Sequence, residues 1–326
     1  IKEKYFSRQE SFDKAREDYQ GYLSQGSGSI EINSPDKAFN EFVNHWLPRQ
    51  VFYHGDVNRL STDPQTRNYL QDAMGMAFIS PDKTKQALIT ALSQQATSGA
   101  MPDGILLHEQ AELKYINLVP HSDHGIWLTL CLQCYLNETN DSDILGTPLP
   151  FSNSEQCLPL IEHINLALDY LLDARNEYGL SYIEQGDWCD PMNMVGYKGR
   201  GVSAWLSLAT TYAVNSWCDL CEQYQLPVSE SRLADYRYAE KAINQSVNKY
   251  LYHGNWFARG ITDEGRVFGT ELDNEGQIYL NPQSWALLSG AANEHQKTMM
   301  LEAINKQLMT PQGVMMLAPS YTQMVE

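Results

Sequence analysis

The apolar residues of this chain recur at spacings of three and four in nearly every long segment. That period belongs to helices with one buried face. It predicts helices over residues 36–53, 64–79, 81–98, 122–138, 155–176, 201–224, 230–250, 281–293 and 294–308. Ser34 and Pro35 are placed to cap and open the first, and Ser80-Pro81-Asp82 to open the third. Strand signals are short, at 179–183 and 257–260, and no alternation of strand and helix appears. A parallel-sheet enzyme is therefore excluded in favour of an all-α body.

The polar segments between the helices are long: 54–63, 99–121, 184–200 and 252–280. They are rich in Asp, Trp, His and Gly. Long ordered loops in a compact domain usually carry function. The pattern fits helical hairpins set in a ring, with a cleft at one end. Residues 1–33 are polar and broken by Gln25-Gly26-Ser27-Gly28-Ser29, so they read as a linker and an outer helix, with the catalytic body over 34–326.

Composition narrows the classes. The chain has 326 residues, 43% of them hydrophobic, which is enough for a large core. Its 23 basic and 40 acidic residues give a formal charge of -17. That balance argues against nucleic acid or an anionic membrane as partner. No run of 18 apolar residues is present, so no membrane-spanning helix is expected. The pairs Cys131/Cys134 and Cys218/Cys221 fall inside helical patterns, so they read as buried reduced thiols of a cytoplasmic protein.

Four clusters carry chemistry. In Gln185-Gly186-Asp187-Trp188-Cys189-Asp190-Pro191, two carboxylates flank an indole. An indole packs on the apolar face of a sugar while carboxylates grip hydroxyls. A carboxyl crowded by a second acid and an aromatic ring is suited to donate a proton. An acidic loop that binds calcium or caps a helix is the plainer alternative. His121-Ser122-Asp123-His124 precedes Trp127; Ser122 or Asp123 is placed to cap the next helix, and a zinc site is disfavoured by the lack of Cys or Glu at ligand spacing. Arg67, Asn68, Gln71 and Asp72 share one helical face, which suits a ligand or a polar network. The stretch from Trp256 to Gly290 holds Arg259, Asp263, Glu275, Gln283 and Trp285.

In order, these segments resemble the inverting disaccharide phosphorylases of glycoside hydrolase family 94. That family includes the cellobiose, chitobiose and cellobionic acid phosphorylases and the phosphorylase domain of cyclic β-1,2-glucan synthase. The likeness rests on Asn44-His45-Trp46-Leu47-Pro48-Arg49-Gln50, Arg67-Asn68-Tyr69-Leu70-Gln71-Asp72, His121-Ser122-Asp123 with Trp127-Leu128, and Gly186-Asp187-Trp188-Cys189-Asp190. Gly265-Arg266-Val267-Phe268-Gly269 and Gln283-Ser284-Trp285-Ala286-Leu287-Leu288-Ser289-Gly290 support it. Met192 to Gly201 is most similar to the cellobionic acid branch.

The resemblance implies an (α/α)6 barrel and, by position, a set of roles. Asp190 is the general acid. Asp187 and Trp188 shape the donor subsite. Arg67, Asp72 and Asp123 bind donor hydroxyls, Arg67 also lies near phosphate, and Gln283 lines the cleft. No cofactor is implied; inorganic phosphate is the co-substrate of a β-linked disaccharide, the product is α-glucose 1-phosphate, and a homodimer is expected. Asn68 and Cys189 stand where family members commonly carry Asp and Asn. Lys198 and Arg200 are candidate cations for an acidic acceptor. The family's N-terminal β-sandwich and its C-terminal phosphate-binding motif fall outside these residues, so the barrel is expected to be incomplete at its C-terminal end. Two alternatives are kept: an inverting hydrolase with Glu184 or Glu275 as base, and a non-catalytic sugar-binding fragment.

Overall fold

A computed structural model describes residues 8–24, 29–113 and 121–323. The chain is mostly helical, as the periodicity predicts. The principal helices are α1 (Gln9–Leu23), α2 (Lys37–Glu41), α3 (Leu47–Val57), α4 (Thr66–Met76), α5 (Pro81–Leu92), α6 (His124–Thr139), α7 (Leu160–Asp173), α8 (Ala204–Tyr224), α9 (Glu230–Leu251), α10 (Leu280–Leu288) and α11 (Glu294–Gln307). Helices α4, α6, α8 and α10 pack one against the next, and α5, α7 and α9 flank that row. Sequence composition explains the two positions. Helix α6 is buried without a break from His124 to Leu132, whereas α9 buries only Tyr236, Ala239, Ile243, Val247 and Leu251. The first pattern belongs to a helix enclosed on all sides, the second to a one-sided stripe.

Tryptophans fill the centre of the inner row. Trp127 lies 6.4 Å from Trp205 between ring centroids, and Trp285 meets Trp205 edge-on at 5.5 Å. Such aromatic pairs add about 0.5–1.5 kcal/mol each beyond the area they bury. Of the CxxC cysteines, Cys131, Cys218 and Cys221 belong to the core as free thiols, while the free thiol Cys134 is half-buried. Burial pushes Cys218 up to about 11 and Cys221 up to about 12, so both stay protonated at neutral pH.

Several boundaries differ from the sequence expectation. Helix α2 is capped by Asp36, whose Oδ1 accepts from the Phe39 N–H at 3.1 Å, while Ser34 bonds the Asn40 side chain. Between α2 and α3 the chain runs through a π-helical turn, Phe42–Trp46. Helix α5 stops at Leu92 because Gln95 turns inward and its amide donates to the Gly99 and His163 carbonyls. Residues 155–159, read as helix, are instead the second strand of a hairpin, β1 (Pro148–Phe151) with β2 (Ser154–Pro159).

Short strands do the positioning. Strands β3 (Val202–Ser203), β6 (Gly260–Ile261) and β7 (Val267–Phe268) form an antiparallel sheet, with Ser203 opposite Gly260 and Gly260 opposite Phe268. Strands β4 (Tyr252–His253) and β5 (Trp256–Phe257) form a two-residue hairpin just before it. The 179–183 segment pairs only through isolated bridges. Ser203 also caps α8, its Oγ accepting from the Leu206 N–H at 3.0 Å. No helix among the described residues is long and apolar enough to cross a membrane.

Candidate active site

Four segments meet at one end of the inner helices. The start of α4 is laced to the loop carrying Asp103: the Thr66 N–H donates to the Asp103 carbonyl at 2.9 Å, and the Ile105 N–H to the Pro64 carbonyl at 2.9 Å. The loop before α6 is tied to the 184–200 loop, since the Ser122 N–H donates to the Gly186 carbonyl at 3.2 Å. A cleft of about 660 Å³ opens between them. Arg59, Gln65, Asn68, Asp103, His121 and Asp190 are among the residues that line it.

Asp190 stands at this cleft with its side chain 58% exposed. Its Oδ1 accepts from Arg67 Nη2, and His121 Nε2 lies 3.2 Å from the same oxygen. Arg67 is buried at 3% exposure, and its Nη1 bonds Asp123 Oδ1 at 3.0 Å and the Asp187 carbonyl at 3.0 Å. Burial works against the Arg67 charge, but Asp123 and Asp190 outweigh it and hold the guanidinium above its ordinary pKa.

Behind that layer lies a second ion pair. Asp187 and Arg259 are both fully buried, with Arg259 Nη2 donating to both carboxylate oxygens at 2.7 Å. Ser203 Oγ donates to Asp187 Oδ2 at 2.5 Å, and Arg259 Nη1 donates to Ser203 Oγ at 3.0 Å. The sheet sets this register, because the Arg259 N–H donates to the Phe268 carbonyl at 2.8 Å. Gly269 leaves the room: its φ is 82°, and a Cβ there would fall 2.5 Å from the Arg259 nitrogen. Asp187 Oδ1 also accepts from the Cys189 N–H at 2.9 Å, which fixes the turn that presents Trp188 and Asp190.

The predicted residues thus divide. Asp190 and Asn68 line the cleft, and Trp188 is 38% exposed beside Asp190 in sequence. Asp123 and Asp187 are fully buried and saturated by Arg67, Trp127, Arg259 and Ser203, so they lie behind the wall rather than on it. Asp123 precedes α6 yet makes no capping bond; its Oδ2 accepts from Trp127 Nε1 at 2.9 Å instead. Asp72 is held by Arg59, Nε to Oδ2 at 2.7 Å and Nη2 to Oδ1 at 2.8 Å. Gln283 does not line the cleft: it is fully buried, and its amide bonds the backbone of Phe257 and Tyr279. Among the described residues, Glu184 and Glu275 are also absent from the lining, with Glu275 accepting from Thr322. Lys198 is engaged by Glu264 at 2.6 Å, and neither it nor Arg200 reaches the cleft.

Two residues that sequence reasoning left without a role are central. Asp103 Oδ1 lies 2.9 Å from His121 Nδ1 and 2.9 Å from His124 Nε2. Burial pulls the Asp103 carboxyl upward, but the bonds from both histidines outweigh it and hold it well below the usual carboxylate range. The bond to Asp103 raises the His121 imidazole above its ordinary pKa, against the opposing effect of burial. These three side chains are compact enough to surround a cation, all ligand atoms lying within 4.8 Å of one another, but the 2.9 Å contacts are hydrogen-bond lengths. Only the richness of the 99–121 loop in Asp and His signalled Asp103 in the sequence.

Comparison with known proteins follows this geometry. The family described as "Glycosyl hydrolase 94 superfamily, catalytic domain" matches residues 22–326. The chain is 52% identical to a cellobionic acid phosphorylase of Neurospora crassa over 327 residues, 100% of this chain and 41% of that protein. It is 34% identical to a 3-O-beta-D-glucopyranosyl-beta-D-glucuronide phosphorylase of Paenibacillus borealis, over 91% of this chain and 38% of the relative. The chain therefore spans about two fifths of the length of these relatives. In fold it is similar to a sugar epimerase from a ruminal bacterium, with a TM-score of 0.52 at 10% identity, over 95% of this chain and 73% of the other. With the family match covering nearly its whole length, this chain belongs to the catalytic domain of the glycoside hydrolase 94 superfamily.

Proposed function

We propose that the protein carrying this chain cleaves a β-linked disaccharide with phosphate, inverting the anomeric carbon and releasing α-glucose 1-phosphate. The observation that carries the reading is Asp190: an exposed carboxyl on the cleft with a buried arginine against one oxygen, in a chain half identical to a phosphorylase. An inverting hydrolase needs an acid and a separate base to activate water. A phosphorylase needs the acid alone, because phosphate is already anionic. Asp190 protonates the glycosidic oxygen while phosphate attacks the opposite face. Arg67 orients Asp190 from behind the wall, Asn68 bonds donor hydroxyls, and Trp188 stacks on a sugar face.

Asp123, Asp187 and Gln283 act in this reading through what they hold. Asp123 orients Arg67, Asp187 shapes the turn before Asp190, and Gln283 locks α10 to the β5 backbone beside Arg259. Asp72 orients Arg59 at the cleft. The alternating rows of helices support an (α/α)6 barrel as the complete architecture.

The acceptor reading is cellobionic acid or a close β-1,4 disaccharide, supported by the 52% identical relative. In reverse synthesis from α-glucose 1-phosphate, the complete protein should use gluconate about tenfold or more better than glucose or N-acetylglucosamine. That is the discrimination one charge-assisted contact to a carboxylate provides. Comparable or better rates with glucose would overturn the acceptor assignment.

A further inference from the structure

We infer that His121 is a positioning residue for Asp190, selecting which carboxyl oxygen carries the catalytic proton. The inference rests on the reading of Asp190 as the acid. Its basis is a row of three side chains: a 2.9 Å hydrogen bond between Asp103 Oδ1 and His121 Nδ1, then a 3.2 Å ion-pair contact between His121 Nε2 and Asp190 Oδ1. Asp103 also accepts the His121 backbone N–H at 3.0 Å and is braced by His124, so the ring is held from its rear edge. His121 is only 9% exposed, and Gly186 packs against it: a Cβ there would lie 3.2 Å from His121 Cδ2.

Among the described residues, the charged and titratable groups around the ring are Asp103, Asp190, His124 and Arg67, with Gln65 Nε2 3.3 Å from Nδ1. Asp103 secures a proton on Nδ1, and the protonated ring then sets its positive Nε2 edge 3.2 Å from Asp190 Oδ1. Arg67 donates to the same oxygen. Among the described residues, no hydrogen bond reaches Oδ2 of Asp190. With Oδ1 bonded by Arg67 and faced by the charged His121 ring edge, the transferable proton resides on Oδ2. In the reaction Oδ2–H gives its proton to the glycosidic oxygen, which leaves with the electrons of the C1–O bond. A phosphate oxygen forms the new bond to C1, and Asp190 is left as a carboxylate.

Two variants of the complete protein separate this from a structural role. In His121→Asn the amide can still reach Asp103 but falls short of Asp190; in His121→Gln it can reach Asp190 but gives up the Asp103 geometry. Each is assayed with phosphate on the disaccharide and on β-glucosyl fluoride, whose fluoride departs without protonation. His121→Asn should lower kcat on the disaccharide about 10- to 100-fold at nearly unchanged KM, as expected for a misaligned proton donor. It should keep its rate on the fluoride, and His121→Gln should recover most of the disaccharide rate. Equal losses on both substrates, or no loss on the disaccharide, would overturn the inference. Asp190→Asn runs alongside: full disaccharide turnover there would overturn the acid assignment itself and the inference with it. Loss there with an unaffected His121→Asn would overturn the inference alone.

Discussion

Replacing Asp190 by Asn should lower kcat for phosphorolysis about 10²- to 10⁴-fold, the range a general acid contributes. The amide oxygen of Asn can still accept from Arg67 at the Oδ1 position, so the local network survives. What disappears is the proton that the leaving sugar needs. Because the Asp190 side chain is 58% exposed, the fold has little at stake, and the melting temperature should stay near that of the unaltered protein. KM should change far less than kcat, since the lost interaction is made in the transition state. Steady-state kinetics with a coupled assay for α-glucose 1-phosphate reads both constants. A variant with kcat within a few-fold of the unaltered protein would remove Asp190 from the chemistry.

Replacing Arg259 by Met should produce the largest loss of stability at the site. Arg259 and Asp187 are each fully buried, and the guanidinium holds both carboxylate oxygens at 2.7 Å. Removing one partner strands the other charge in a low-dielectric interior, which costs about 3–5 kcal/mol. The double variant Arg259→Met with Asp187→Leu leaves no buried charge and should recover a substantial part of that loss. Chemical denaturation of the three proteins measures this. Activity should stay low in the double variant even if stability returns, because Asp187 also fixes the Cys189 N–H and so the turn bearing Asp190. A single variant as stable as the parent would mean that the pair is hydrated and loosely held.

The helices were legible because burial imposes a period on them: α8 and α9 begin and end within a few residues of the expectation. The hairpin at 148–159 was not, because the three- and four-residue spacing of α7 continues upstream into it by coincidence, and only Pro159 marks the change. Two-residue strands such as β3 and β6 carry no readable period at all, yet they decide where Arg259 points. The site was partly legible for a similar reason. Asp187, Trp188 and Asp190 sit together in sequence, so their loop stood out. The partners that give each acid its role come from far along the chain: Arg67 for Asp123 and Asp190, Arg259 for Asp187, Asp103 for His121. Residue type marked Asp123 and Asp187 as candidate sugar ligands; only their zero exposure moves them behind the cleft wall. Gln283 misled in the same way, since an amide on a core helix serves a backbone as readily as a sugar.

The most direct test of the central claim is product analysis by proton NMR on the complete protein, incubated with cellobionic acid in the presence and absence of inorganic phosphate. The account predicts α-glucose 1-phosphate and gluconate in equal amounts with phosphate, and no comparable turnover without it. Release of free glucose at the same rate without phosphate, or a β-configured sugar phosphate, would contradict it.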